Sequence, residues 1–403
     1  MSEDTYDCVI VGGGPAGATS ATDLANAGRR VLLLDRAGRI KPCGGAIPPR
    51  LVRDFAIPDH LIVGRATSAR MIAPSGRTVD MPVDPGGGGF VGMVDRDVFD
   101  EWLRARAGLA GAERRTGTFD RIDRDADGCA AVVYRDARGG AEQRVRARSV
   151  IGADGARSKV ARATLKGADR VPCVFAYHEI IRSPAADAVP HPASDAYDPG
   201  RCDVFYQGEM SPDFYAWIFP HGDTASIGVG SANKGFALRD AVARVRDRAG
   251  LEGCETIRCE GAPIPMKPLK RWDDGRDTIV TGDAAGVVAP ASGEGIYYAM
   301  AAARCVAESV EAFLATGKPQ ALRTARKRFM RAHGRVFWIL GIMQYFWYKT
   351  DKRRERFVAM CNDPGVQDLT WQAYMNKELV RARPMTHVGI FLKDMRHLLQ
   401  SAT

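Results

Sequence analysis

The hydrophobic pattern of the first 36 residues is the most regular in the chain. Cys8–Val11 is wholly apolar, Gly12-Gly13-Gly14-Pro15-Ala16-Gly17 breaks the run, and an alanine-rich stretch reaches Asn26. Val31–Leu34 is apolar again and stops at Asp35. Short apolar runs bounded by turn residues read as buried strands, so Tyr6–Arg36 is predicted to be one βαβ unit. In Arg39–Pro49, three prolines and two glycines predict a loop of fixed shape. Residues 66–93 alternate weakly, with Gly86–Gly89 as a turn. Val94–Leu103 has apolar residues at helical spacing and Asp95 in the capping position. Residues 114–148 predict short strands with charged turns, running through Val150-Ile151 into Gly152-Ala153-Asp154-Gly155. Strand signals dominate Val171–Arg258, with a loop around Ser183–Arg201 and a helix over Leu238–Ala249. Asp277–Gly286 is a strand entering a small-residue turn, Tyr297–Leu314 a long helix, and Lys318–Thr403 mostly helical.

Within the first unit, Gly12-x-Gly14-x-x-Gly17 stands between strand and helix, the context a dinucleotide fingerprint requires. Gly12 permits the tight turn, Gly14 lets the backbone approach a pyrophosphate, and Gly17 lets helix and strand pack closely. The helix N-terminus offers N–H groups to the anion, and Asp35 is placed to accept from ribose hydroxyls. No second such motif occurs, since Gly228-Val229-Gly230 lacks the third glycine.

Composition narrows the class without naming it. The 403 residues are 45% hydrophobic and 26% charged, as in an ordinary globular protein. A net charge of +9 suits an acidic partner, and the spread of basic residues gives no reason to expect nucleic acid. Nine cysteines without CxxC pairs suggest neither zinc nor a disulfide framework. The polar start argues against a secretory signal and for the cytoplasmic side. No apolar run reaches the roughly 18 residues of a spanning helix. Residues 336–348 are nearly all apolar and flanked by Arg and Lys on both sides. Such a segment lies in an anionic membrane interface or covers a buried tunnel.

Gly12–Gly17, Gly152-Ala153-Asp154-Gly155 and Gly282-Asp283-Ala284-Ala285-Gly286 occur in the order and spacing of FAD enzymes similar to the para-hydroxybenzoate hydroxylase group. The resemblance implies a Rossmann-type FAD-binding domain, discontinuous over 1–65, 94–170 and 261–315. An antiparallel-sheet substrate domain (66–93 and 171–260) and a helical C-terminal region (316–403) complete this α/β + β fold. It implies that Asp283 holds the ribityl chain and that Arg96 lies near the pyrophosphate, a solvated helix arginine being the alternative. Asp154 and Arg157 are read mainly as shaping the turn. The group carries Glu where this chain has Asp35.

A narrower resemblance rests on Lys41-Pro42-Cys43-Gly44-Gly45, Phe214-Tyr215-Ala216-Trp217-Ile218-Phe219-Pro220 and Ser292-Gly293-Glu294-Gly295-Ile296-Tyr297. Together they resemble the geranylgeranyl reductase family, in its chlorophyll and bacteriochlorophyll branch. That implies reduction of a geranylgeranyl chain to phytyl, as the free diphosphate or esterified to a tetrapyrrole. The implied cofactor is FAD, with NADPH or a ferredoxin-type protein as donor. Tyr215, Trp217 and Phe219 alternate, so on a strand they face one side and suit a polyprenyl chain or a transient cation. Cys43 is read either as a proton donor or as packing on the flavin ring, and Glu294 as a helix-start carboxylate or an orienter of water. The candidate catalytic residues are Cys43, Tyr215 and Trp217. The candidate cofactor residues are Gly12, Gly14, Ala16, Gly17, Asp35, Arg36, Cys43, Gly44, Gly45, Arg96, Asp283, Gly293, Gly295 and Ile296; no metal site is expected. A flavin monooxygenase of the same fold and a non-catalytic prenyl-binding carrier are the alternatives.

Overall fold

The computed structural model describes residues 5–36, 40–83, 89–137, 140–184, 197–375 and 377. Its first layer is a six-stranded sheet with a parallel core. Thr5–Val11 pairs in parallel with Val31–Asp35 and with the second half of Glu142–Gly152, which place Leu32 and Val150 on either side of Val9. Thr278–Val280 and Glu113–Arg124 extend the parallel run outward. Ala130–Asp136 pairs antiparallel with both Glu113–Arg124 and the first half of Glu142–Gly152. Cys8, Val9 and Ile10 are fully buried, as parallel strands need cover on both faces. The helices Pro15–Asn26, Arg96–Leu109 and Ile296–Thr316 are part of that packing, the first in contact with the other two.

The second layer is a seven-stranded sheet in the order 256–265, 173–182, 224–231, 216–221, 201–205, 68–72, 78–82. Alternation along its central strands decides what faces the site. Ala225, Ile227 and Val229 join Ala216 and Ile218 under the helix Leu238–Arg248, in one cluster with Ala241, Val242 and Val245. The intervening residues Ser226, Gly228, Trp217 and Phe219 therefore face the other way, toward the first layer. The expected antiparallel sheet is found with one exception. Arg201–Phe205 runs parallel to Ser68–Ile72, because the chain returns to that edge after a long excursion rather than by a hairpin. Thr256–Pro265 remains the edge strand of this sheet, so the chain crosses back to the first layer after Pro265 and not at Gly261.

Asp95 does precede the helix Arg96–Leu109, but its side chain makes no capping hydrogen bond. Its carboxylate faces His221 instead, with Nδ1 at 3.4 Å. The C-terminal region is helical over Thr324–Trp347, Asp351–Met360 and Pro364–Tyr374. Arg39, Gly86–Gly88, residues 185–196 and residues 378–403 lie outside the described residues. Among the described residues no helix is long and apolar enough to cross a membrane.

Candidate active site between the two sheets

At the end of the first strand Gly12 has φ of 106°, and a Cβ there would come within 2.3 Å of the Ala153 carbonyl oxygen. A Cβ on Gly17 would meet the Gly12 oxygen at 1.8 Å, whereas one on Gly14 would meet nothing within 4 Å. The first two positions are thus closed by backbone and the third is open. The helix begins at Pro15 with no side-chain cap and no acidic residue in its first turn, so Ala16 and Gly17 open an uncapped N-terminus. Asp35 lies beside Gly13, and Arg104 reaches both, at 3.3 Å from Asp35 Oδ2 and 3.3 Å from the Gly13 oxygen. Arg36 is exposed.

Asp154 fastens its own turn, with its carboxylate accepting from the Lys159 N–H at 2.7 Å, the Val160 N–H at 3.3 Å and the Ser158 hydroxyl. Burial raises its pKa despite these donors. Arg157 is exposed, its guanidinium 5.5 Å from the Phe175 ring.

Asp283 lies in the single turn Gly282–Ala285 and is ion-paired with Lys41 of the Pro-Cys-Gly-Gly loop. A Cβ on Gly295 would stand 3.6 Å from Asp283 Oδ1, and Gly295 starts the helix Ile296–Thr316 without a side-chain cap. Gly293 is in the left-handed region at φ of 65°. Glu294 accepts from the Tyr297 N–H at 2.9 Å, the helix-start role, and its other oxygen is 2.6 Å from the Lys377 ammonium. Lys377 is buried, and desolvation lowers its pKa. An open helix N-terminus after Gly14, a second one with one N–H taken by Glu294, and the carboxylates of Asp35 and Asp283 are a donor and acceptor set that fits a flavin dinucleotide.

Arg96 is buried rather than solvated. It makes a two-pronged pair with Asp100 at 2.9 and 2.8 Å, and its guanidinium also approaches the Cys43 sulfur. Burial opposes its charge, yet Asp100 and Cys43 outweigh burial and hold its pKa above the ordinary value. The Cys43 sulfur also accepts from the Gly45 N–H at 3.5 Å.

The loop lies on the aromatic strand. A Cβ on Gly44 would be 3.0 Å from Phe219 Cδ2 and 3.4 Å from Trp217 Nε1. Tyr215, Trp217 and Phe219 stand in a row with centroids 5.9 and 6.0 Å apart, and all three line one cavity of about 270 Å³. Trp217 has room because Gly228 lies beneath it, where a Cβ would come within 2.1 Å of the indole. Cys43, Gly44, Gly45, Arg96, Asp283, Gly293, Gly295 and Ile296 line the same cavity, with Ala69, Met71, Val204 and Ile264 on its sheet side. Phe357, Met375 and Lys377 close it from the C-terminal region. The glycine-rich loops and the aromatic strand thus share one mostly apolar cavity.

Sequence reasoning passed over His221, Arg104, Tyr206, His178 and Lys377. His221 Nε2 is 2.9 Å from the Gly44 oxygen and fixes the loop to the strand. The alternation of 215, 217 and 219, carried one step further, points to it. Tyr206 packs on Tyr215, Tyr348 and Phe357 with centroids 6.1, 5.2 and 5.0 Å away, a contact no local pattern carries.

Comparison with known proteins follows the same lines. Residues 6–186 match the family model described as pyridine nucleotide-disulphide oxidoreductase, and residues 235–386 the one described as lycopene cyclase protein. A geranylgeranyl diphosphate reductase of Rhodobacter capsulatus is 56% identical over 98% of this chain and 97% of its own. One from Synechocystis is 36% identical over 97% of each. A digeranylgeranylglycerophospholipid reductase of Methanocaldococcus jannaschii is 30% identical over 74% of each. Among solved structures, a geranylgeranyl bacteriochlorophyll reductase-like protein from Thermoplasma acidophilum superposes with a TM-score of 0.80 at 21% identity. That match covers 95% of this chain and 99% of that one. A flavin-dependent brominase gives 0.71 at 17% over 97% and 100%. At such identities the structural likeness is one of fold.

Proposed function

Because the chain belongs to the geranylgeranyl diphosphate reductase family, we propose that it hydrogenates three of the four C=C bonds of a geranylgeranyl chain, yielding phytyl for (bacterio)chlorophyll synthesis. The observation that carries this reading is an apolar cavity shared by the glycine-rich loops and the Tyr215–Trp217–Phe219 row. FAD is the cofactor and NADPH the donor we assign, and the substrate is the free diphosphate or its tetrapyrrole ester.

An isolated trialkyl alkene has no carbonyl to take up charge, so a hydride and a proton must reach its two carbons together. Positive charge develops on the more substituted carbon as the proton arrives. A bound, reduced flavin supplies the hydride; the remaining requirements fall to the protein. In this reading the N–H groups after Gly14 take the pyrophosphate, Asp35 takes the ribose, and Arg36 flanks it. Asp283 takes the ribityl chain, which requires Lys41 to give up its carboxylate. The Gly293–Ile296 turn and the Cys43-Gly44-Gly45 loop, which line one cavity, would hold the flavin ring between them. Tyr215 and Trp217, with Phe219, exclude water, align the chain and turn their electron-rich faces toward developing positive charge. Tyr215 is oriented by donating its hydroxyl to the Ser292 oxygen.

We also assign a peripheral site on an anionic membrane to the helix Thr324–Trp347. Trp338, Ile342 and Tyr345 are 69, 47 and 76% exposed at helical spacing on one face, with Arg331 and Arg335 before them and Lys349 after. A chain too apolar for water would be delivered from such a surface.

The test is anaerobic incubation with dithionite and each candidate substrate, followed by mass analysis. Gains of two, four and six hydrogens support the reading, and recovery of unchanged prenyl chains with flavin fully reduced overturns it. Cys43→Ala is expected to keep FAD and slow the reduction.

A further inference from the structure

The cavity continues past the aromatic row. Trp217 and Phe219 stand on 216–221, the fourth of the seven strands, and Gly44 of the cofactor loop lies against both rings. The reaction centre of the prenyl-reductase reading therefore falls over the middle of the sheet. Beyond it, on 201–205, 68–72 and 78–82, the lining residues are Cys202, Val204, Ala69, Met71 and Met81. Register sets them in two rows across the strands. Val204 stands opposite Trp217 on one side and Met71 on the other, and Ala69 stands opposite Cys202 and Met81. The charged residues of these strands alternate to the other face, where Arg70 pairs with Asp80 at 2.7 Å and Arg201 with Asp203 at 2.6 Å. This arm of the cavity is thus apolar along its sheet side, and it ends on buried side chains. Met81 is fully buried, and Phe357 and Cys361 line the cavity from the helix Asp351–Met360 and the residue after it. That helix packs on 78–82 and is held there by Glu355, which accepts from the Ser75 hydroxyl at 2.8 Å.

A diphosphate in such an arm would lose its water with no counter-charge to replace it, so the arm takes the hydrocarbon tail. Neighbouring strands lie about 4.8 Å apart, close to the length of one extended isoprene unit. Between the middle strand and the wall at Met81 the tail has the width of two strands, 201–205 and 68–72, and so room for two isoprene units. The bond nearest the tail needs no unit beyond the reaction centre, the next needs one, and the third needs two. The fourth, next to the diphosphate, needs three, and the tail then meets Met81. We propose that this arm measures the prenyl tail, Ala69, Cys202 and Val204 keeping it open and Met81 ending it, so that three bonds reach the reaction centre and the allylic bond does not. The proposal rests on the prenyl-reductase reading and adds no chemical step to it. Ala69 and Cys202 are the positions where small size matters most, because they face each other on adjacent strands and their rows leave the only depth between Trp217 and Met81 that these strands offer.

The experiment uses the holoenzyme, reduced by dithionite without oxygen, with Ala69→Phe and Val204→Phe beside the parent. Flavin content is expected to match the parent in both variants. With geranylgeranyl diphosphate the variants should stop at gains of two or four hydrogens. The ratio of six-hydrogen to two-hydrogen product should fall by about 10-fold or more, the discrimination an apolar pocket gives for a small change in size. Fragmentation should place the unreduced bonds next to the diphosphate. A second arm needs no substitution: the parent is given geranylfarnesyl diphosphate, one isoprene unit longer. A pocket that measures from the tail again allows a gain of six hydrogens and leaves the two bonds nearest the diphosphate. A gain of eight, or product ratios like the parent's in the variants, or unreduced bonds left at the tail end, overturns the proposal. If the variants lose flavin, the longer chain decides it. If the parent adds no hydrogen to geranylgeranyl diphosphate, the underlying reading is what falls.

Discussion

His333→Leu should make the protein less sensitive to acid, by an amount that follows from the ring's surroundings. His333 sits among Tyr297, Tyr298 and Phe329, with centroids 5.9, 5.4 and 4.9 Å away, and its Nδ1 has no hydrogen-bond partner among the described residues. Burial, reinforced by the cations Arg50 and Lys377, draws its pKa down from 6.5 to about 4. A depressed base works against the fold only in acid. Above pH 6.5 neither state holds the proton and His333 contributes nothing. Between 6.5 and about 4 the unfolded chain takes up a proton the folded one refuses, so stability falls with pH, and below about 4 the loss is complete. At about 1.4 kcal/mol per pH unit the full loss is roughly 3.4 kcal/mol, of which about 2 kcal/mol is felt by pH 5. Urea unfolding of parent and variant at pH 7 and pH 5 measures this as a difference of differences, in which any constant packing cost of leucine cancels. The parent should lose about 2 kcal/mol more than the variant between the two pH values. Equal losses would refute the reasoning. The ring also clamps the start of Ile296–Thr316, so flavin release in acid should come later in the variant.

The other expectations concern the cavity and its margins. Asp283→Ala leaves Lys41 without its carboxylate and should lower the flavin-to-protein absorbance ratio of the purified protein; a parental ratio would remove Asp283 from the cofactor site. Gly228→Ala places a Cβ 2.1 Å from the Trp217 indole on a strand paired on both sides. The ring must swing out, at a cost of about 1–3 kcal/mol by urea unfolding and with slower prenyl reduction, so an unchanged rate would mean Trp217 does not align the chain. Asp154→Ala strips two N–H groups of their acceptor and should cost about 1 kcal/mol in the same assay while leaving flavin content unchanged. Trp338→Glu with Tyr345→Glu should abolish sedimentation with phosphatidylglycerol vesicles, and retained sedimentation would place the membrane face elsewhere.

The local rules of the chain were enough for the first βαβ unit. Cys8–Val11, Gly12, Gly17 and Asp35 are set by strand period, backbone clearance and a turn within 30 residues, all of which are properties of adjacent positions. The one-sided row of Tyr215, Trp217 and Phe219 follows from the two-residue period in the same way. Other features depend on segments that meet only after folding. Arg96 could be read near a pyrophosphate or as a solvated helix arginine, and only the fold makes it a buried cation, paired with Asp100 one turn along and close to Cys43, 53 positions back in the chain. Asp95 had the spacing of a cap, but His221 arrived from another sheet and took its carboxylate. His178 reads as an ordinary strand histidine until the edge strand brings Glu260 beside it and Gly228 lets Trp217 lie over its neighbour. Sequence decides which backbone each stretch prefers, because sterics and periodicity act between near neighbours. The charge, burial and partners of a side chain are fixed by whatever the tertiary structure packs against it.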